Sequence, residues 1–244
     1  MIKKAIVVMS AYNAAKTLGD VYKKIPHHLV SHIVLVDDYS KDKTIQISKS
    51  LGIETITHKK NLGYGGNQKT CYENALKLEG DLIISLHPDA QYDPNDISKM
   101  IDKYNNSGAD IIFGSRFIED GGKSTPFYKT ISIRFITILY NIILGTKLTE
   151  VNTGYRAYSR KALNSIPWNK NGNSFIFDPQ IIVQSVVFNL IIDEVPIRKD
   201  YHPAASSPNF IKSLYHGLEN IYLLLLYILH KYNFKKIHFL TLDK

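Results

Sequence analysis

The feature that most constrains this chain is an alternation running through its first half. Short apolar, β-branched runs (Ala5–Met9, His32–Val36, Glu54–Thr57, Leu82–Leu86 and Asp110–Phe113) are separated by longer segments of helical character. Those helices open near Thr17, Lys43, Gly66 and Pro94. Strands joined by helix-length connections pair in parallel, because a parallel crossover needs a dozen or so residues and a helix supplies them. The pattern predicts an α/β domain with a mostly parallel central sheet and helices on both faces. Local signals agree. Asp93 offers an acceptor ahead of Pro94 in a first turn, and Ser40 and Asp42 offer acceptors ahead of the helix near Thr44. A chain of 244 residues can build one such core without splitting, and neither an internal repeat nor an interdomain linker is visible.

Beyond Gly114 the pattern loosens. Gly121-Gly122 marks a loop, and a helix is expected from about Tyr128 to Leu144, where Ile131, Phe135, Ile138, Leu139 and Ile142 recur at helical spacing. A helix over Asp178–Phe188, a strand over Leu190–Val195 and a Pro-, Ala- and Ser-rich loop to Pro208 follow. The run Ile221–Leu229 is wholly apolar, yet its nine residues fall short of the roughly 20 that a membrane-spanning helix needs. With the basic flank His230, Lys231, Lys235, Lys236 and His238, two readings stand: a helix in a membrane interface, or a terminal helix packed on the domain. The chain divides on this reading into a catalytic unit, 1–210, and a C-terminal helix with a basic tail, 211–244.

The net charge of +8 favours anionic partners, whether phosphates, acidic lipid or nucleic acid. Zinc-ligand spacing, an RNA-binding aromatic signature and a dense arginine run are all missing, so nucleic acid is set aside. The single cysteine, Cys71, excludes an internal disulfide framework. With no secretory signal at the start, a reducing, cytoplasmic setting is expected.

Ligands of open parallel sheets bind outside the carboxyl ends of the strands. After the first strand comes Ser10-Ala11-Tyr12-Asn13, and after the second Asp37-Asp38-Tyr39-Ser40. Asn61, Gly63, Gly65 and Gly66 follow the third, and His87-Pro88-Asp89-Ala90-Gln91 the fourth. Polar groups from four strands thus converge on one edge. The glycines follow the third strand rather than the first, and no GxxxxGK[ST] loop is present, which argues against dinucleotide and Walker-type phosphate sites. Gly65 and Gly66 serve either close approach to a ligand or close helix packing.

These ordered segments resemble the family-2 glycosyltransferases of the GT-A fold, closest to the dolichyl- or polyprenyl-phosphate sugar synthase branch. Gly114-Ser115-Arg116, Asn152 to Tyr158 and Glu194-Val195-Pro196 extend the resemblance over roughly residues 3–210. It implies a UDP- or GDP-sugar donor, with Asp38 and its neighbour Asp37 bonding the base or ribose. Ala11, Tyr12 and Asn13 would wall the base pocket, with Asn61 and Gly65 on the donor side. Arg116 and Arg134 would hold phosphates of donor or lipid acceptor. Arg156 lies either near the sugar or in an ion pair that ties its loop. Tyr201, Ser206 and Ser207 match a loop that closes over the diphosphate.

The family's metal motif, aspartate-x-aspartate-x-glutamine, reads here His87-Pro88-Asp89-Ala90-Gln91. Asp89 and Gln91 suit magnesium or manganese; His87 either coordinates, tilting preference toward manganese, or bonds a phosphate. The glutamate usual after Tyr-Asn is Ala14. A polyprenyl-phosphate acceptor needs no proton acceptor, whereas a glycan hydroxyl would call on Glu150, Asp178 or Glu194. The expectation is an inverting hexosyltransferase at the inner membrane face, held by the helix near Ile131–Leu144 and the C-terminal segment, alone or with a membrane subunit. Its rivals are transfer to a saccharide, nucleotidyl transfer, and a binding module without turnover.

Overall fold

Period-two alternation shows at once in the first strand of the computed structural model, which describes residues 5–119, 125–200 and 210–242. In β1 (Ala5–Ala11) Ile6 and Val8 enter one apolar cluster, while Ala5, Val7 and Met9 enter another on the opposite face. A strand buried on both faces must lie centrally in a sheet covered twice by helices. The remaining strands are β2 (Val30–Asp37), β3 (Glu54–Thr57), β4 (Leu82–Ser85), β5 (Ile111–Ser115), β6 (Arg156–Ser159) and β7 (Ile192–Pro196). They form one sheet in the order β3-β2-β1-β4-β6-β5-β7. Only β6 runs against its neighbours, β4 and β5. The mostly parallel sheet is as expected; β6 itself is a strand that the sequence did not announce.

The helices are α1 (Leu18–Lys24), α2 (Thr44–Ser50), α3 (Tyr64–Ala75), α4 (Ile97–Ser107), α5 (Phe127–Leu144), α6 (Arg160–Ser165), α7 (Phe177–Val187) and α8 (Phe210–Lys231). Asp93 caps its turn as expected, accepting from Asn95 N. At α2 only half of the expected cap forms. Asp42 Oδ1 accepts Thr44 N at 3.0 Å, while Ser40 Oγ instead takes Asn13 N at 2.8 Å.

In α5 the inward face differs from the expected stripe. Ile133, Ile136, Tyr140 and Leu144 are buried, whereas Ile131, Phe135, Ile138 and Ile142 face outward. The apolar run 221–229 is part of the longer α8, and it both packs and stays open. Leu223, Leu224 and Tyr227 are buried; Ile221, Tyr222 and Leu225 are exposed. α8 lies against α5 and α7, and Tyr140 Oη donates to Asn220 Oδ1 at 2.7 Å. The chain after α8 returns onto α7, where Gln184 Nε2 donates to Phe239 O at 2.7 Å.

Candidate active site

Ala11 ends β1 opposite Asp37, which ends β2, so the two following loops stand side by side. Asn13 ties them: its N–H donates to Ser40 Oγ and its Oδ1 accepts Lys41 N, both at 2.8 Å. Tyr12 projects from this edge, about half exposed. The two adjacent aspartates have different fates, because neighbouring strand residues point to opposite sides. Asp38 is spent on the protein. Its Oδ1 accepts His58 Nδ1 and Leu62 N, each at 2.8 Å, and its Oδ2 accepts Gly63 N at 3.0 Å. Asn61 Nδ2 adds a bond to Asp38 O at 3.0 Å. Asp38 thereby fastens the loop after β3. Asp37 is equally buried, and its Oδ2 accepts Ser40 N at 2.9 Å, but its Oδ1 has no partner.

Gly65 is set by packing. A Cβ there would lie 2.3 Å from Gly172 O and 2.8 Å from Phe177 Cβ, so only glycine lets α3 seat against the approach to α7.

At the end of β4, Ala90 takes a left-handed φ of 58°, and Asp89 Oδ1 accepts Gln91 N at 3.1 Å. The turn fixes the half-buried Asp89 carboxylate at the sheet edge. Gln91 is buried, and its backbone carbonyl accepts Asp200 N at 2.8 Å, which joins the turn to the chain after β7. His87 is half-buried and stacks on the Tyr64 ring, with centroids 5.6 Å apart. Its Nε2 lies 3.4 Å from Tyr64 Oη, and a Cβ at Gly154 would come within 2.6 Å of the same nitrogen. Burial lowers the imidazole pKa, which leaves the ring neutral and able to ligate at neutral pH. Among the described residues, no three His, Cys, Asp or Glu side chains are grouped to hold a metal by themselves. The donor chemistry of Asp89 and His87 nonetheless fits part of a divalent shell that substrate oxygens complete.

Tyr64 links this corner to α7. Its hydroxyl donates to Asp178 Oδ2 at 2.7 Å and accepts from Gln68 Nε2 at 3.0 Å. Its ring also stacks on the exposed Phe175, with centroids 5.0 Å apart. Asp178 sits in the first turn of α7, where the helix dipole favours a carboxylate. Tyr64 and Phe175 are site residues that sequence reasoning missed; the tyrosine inside the Asn61–Gly65 segment was the available signal. Arg156 is buried and donates to the carbonyls of Thr153, Val151 and Asp178. Of its two expected roles, tying the loop is the one this geometry performs.

Arg116 and Glu150 form a buried ion pair. Arg116 Nε and N both donate to Glu150 Oε2, at 3.0 and 2.9 Å, and a second guanidinium nitrogen contacts Glu150 Oε1. Glu150 has no exposed surface and Arg116 almost none. Glu194 accepts Thr149 N, Thr149 Oγ1 and Glu150 N; burial raises its pKa against those bonds. These three charged residues lock the loop before β6 onto the ends of β5 and β7. Arg134 is different: it lies on the exposed face of α5, its guanidinium 5.4 Å from the Phe117 ring centroid. Tyr201, Ser206 and Ser207 lie outside the described residues.

The sheet order, the single reversed strand and the polar edge define a GT-A-like α/β fold. Residues 6–166 match the profile of glycosyl transferase family 2, and the chain belongs to that family. It is a glycosyltransferase. Relatives include the UDP-N-acetylglucosamine–dolichyl-phosphate N-acetylglucosaminyltransferase of Methanococcus voltae, 27% identical over 217 residues, covering 82% of this chain and 86% of that one. The polyprenol monophosphomannose synthase of Mycolicibacterium smegmatis is 22% identical over 204 residues, covering 80% and 77%. Among solved structures, glucosyl-3-phosphoglycerate synthase from Mycobacterium tuberculosis, bound to Mn2+, UDP and glucosyl-3-phosphoglycerate, superimposes with a TM-score of 0.68 at 16% identity, covering 92% of this chain and 80% of that chain.

Proposed function

We propose that this enzyme transfers a sugar from a UDP- or GDP-sugar to a polyprenyl phosphate, with inversion, while resting on the inner face of a membrane. The observation that carries the lipid acceptor is the outward apolar face of two adjacent helices. α5 exposes Ile131, Phe135, Ile138 and Ile142, and α8 exposes Leu218, Ile221, Tyr222 and Leu225. Both helices reach toward the site. Arg134 of α5 meets Phe117 next to Arg116, and His216 of α8 meets Phe175, which stacks on Tyr64. An apolar surface of this kind on a chain of net charge +8 suits an anionic bilayer. By length and composition α5 passes for a membrane-crossing helix, but its buried face packs on the domain, which suits an interfacial position instead.

The chemistry needs few groups from the protein. A phosphate monoester has a second pKa of about 6, so the acceptor is largely a dianion at neutral pH. One of its oxygens attacks the anomeric carbon from the face opposite the diphosphate. The new oxygen–carbon bond forms as the old one breaks, and the departing diphosphate keeps the electron pair. No proton moves, in keeping with Glu150 and Glu194 both being committed to the fold. Asp178, held by Tyr64, orients the sugar. A divalent cation at Asp89 and His87, when bound, offsets charge on the leaving diphosphate.

Incubating the protein with radiolabelled UDP- and GDP-sugars and polyprenyl phosphate in vesicles should move label into the organic phase. Label found only in aqueous glycan would transfer the assignment to a saccharide acceptor. Asp89→Ala should abolish turnover with its melting curve unchanged; near-normal turnover would remove the metal role. Ile138→Glu with Ile142→Glu should release the protein from anionic vesicles, and retained binding would remove the membrane surface.

A further inference from the structure

Phe175 stands in the open beside Tyr64, with 52% of its side chain exposed. The loop that carries it is nonetheless fixed on both sides. Gly65 N donates to Asn173 O at 2.8 Å, and Lys69 Nζ donates to Asn173 Oδ1 at 2.9 Å. Gly172 N donates to Gln180 Oε1 of α7 at 2.7 Å. Glycine at the start of α3 makes this seat possible, since a Cβ at Gly63 would lie 2.7 Å from Asn173 O. An exposed ring on a fixed loop adds little to the core, so the core does not account for its placement.

The ring also has a defined attitude. It lies nearly parallel to Tyr64, with 26° between the planes and 5.0 Å between centroids. Its edge meets His216 of α8, with centroids 6.5 Å apart. The Tyr64 hydroxyl donates to Asp178 Oδ2, and the Asp178 side chain keeps 12% of its surface exposed. An aromatic face carries negative charge density and attracts the partly positive axial C–H groups of a pyranose, while a neighbouring carboxylate accepts its hydroxyls. An isoprenoid chain would use the ring but not the carboxylate.

Resting on the nucleotide-sugar reading above, we infer that Phe175 is a stacking platform for the transferred sugar, with Asp178 accepting hydroxyls at its rim. Tyr64 covers one face of the ring, and the pyranose takes the open face. The platform favours hexoses that turn several axial C–H groups to one side, so Phe175 acts on sugar choice as well as on affinity.

Steady-state kinetics of wild type, Phe175→Tyr, Phe175→Leu and Phe175→Ala test this. The donors are UDP-glucose, UDP-N-acetylglucosamine and GDP-mannose, the acceptor is polyprenyl phosphate in vesicles, and UDP and GDP serve as inhibitors. With the donor that wild type uses best, Phe175→Leu and Phe175→Ala should lower donor kcat/KM about threefold to tenfold and narrow the preference over the other donors. Phe175→Tyr, which keeps the aromatic face, should change it by about twofold at most. The acceptor KM and the inhibition constant of the matching nucleotide should stay near wild type in all three variants. Wild-type donor kcat/KM in Phe175→Leu would overturn the platform. So would a raised acceptor KM at unchanged donor kcat/KM, which would assign the ring to the lipid, or a nucleotide inhibition constant that rises as far as donor kcat/KM falls. Phe175→Leu and Phe175→Ala both melting well below wild type would overturn it too, since the ring would then be supporting the fold. If wild type transfers none of these sugars, the donor reading and the platform fall together; each of the other contrary results removes the platform alone.

Discussion

Arg116→Ala separates a structural arginine from a phosphate ligand. Arg116 and Glu150 are 2% and 0% exposed, respectively. The guanidinium reaches both Glu150 oxygens and also donates to Asn152 O at 3.2 Å. Removing it leaves the backbone bond from residue 116 but strips Glu150 of its cation. Glu194, whose carboxylate binds Glu150 N, then adds a second negative charge to the same loop. Breaking one partner out of a buried pair costs about 3–5 kcal/mol. For a domain of this size, each kcal/mol lowers the melting temperature by about 2–4 °C, so a fall of roughly 6–20 °C is expected. Urea titration should show a lower midpoint at unchanged m. Arg116→Met combined with Glu150→Leu should recover most of the loss, because a well-packed apolar pair replaces an ion pair at little cost. If Arg116→Ala melts like wild type and yet loses transfer, the pair is not structural and the arginine belongs to the substrate.

Gly65→Ala should destabilise the fold by about 1–3 kcal/mol in urea titration, as overpacking does. The new Cβ would meet the rigid Gly172 carbonyl at 2.3 Å, and wild-type stability would show that α3 can move. Tyr64→Phe removes the donor to Asp178 Oδ2 and should cost about 1–3 kcal/mol; an unchanged urea midpoint and an unchanged donor KM would together exclude a positioning role. Cys71 is fully buried, and burial pushes its thiol pKa far up, so a thiol reagent should label it only after unfolding. Rapid labelling of native protein would contradict the packing around α3.

Much of the sheet was legible because strand periodicity is local. β1, β2, β3, β4, β5 and β7 lie within about two residues of the expected runs, an ordinary boundary uncertainty. β6 was not, since a four-residue strand opening with Arg156 carries no apolar alternation. It exists because it fills the gap between β4 and β5, and its arginine is tolerated because three backbone carbonyls receive the guanidinium. In α5 both faces are apolar at helical spacing. Periodicity therefore marks Ile131, Phe135, Ile138 and Ile142 as a stripe without saying that it looks outward.

The sequence by itself determined the order of strands and helices, the edge on which polar residues collect, and the family resemblance those ordered segments carry. Chain order and a two-residue pleat are enough for that. Tertiary structure alone decided which polar groups remain available. Asp38 fastens the loop after β3, Asp37 keeps one carboxylate oxygen buried without a partner, and Arg116 pairs with a glutamate 34 positions further along the chain. Adjacent side chains on a strand face opposite ways, and a buried charge takes whatever partner the fold brings to it; neither outcome is encoded in spacing.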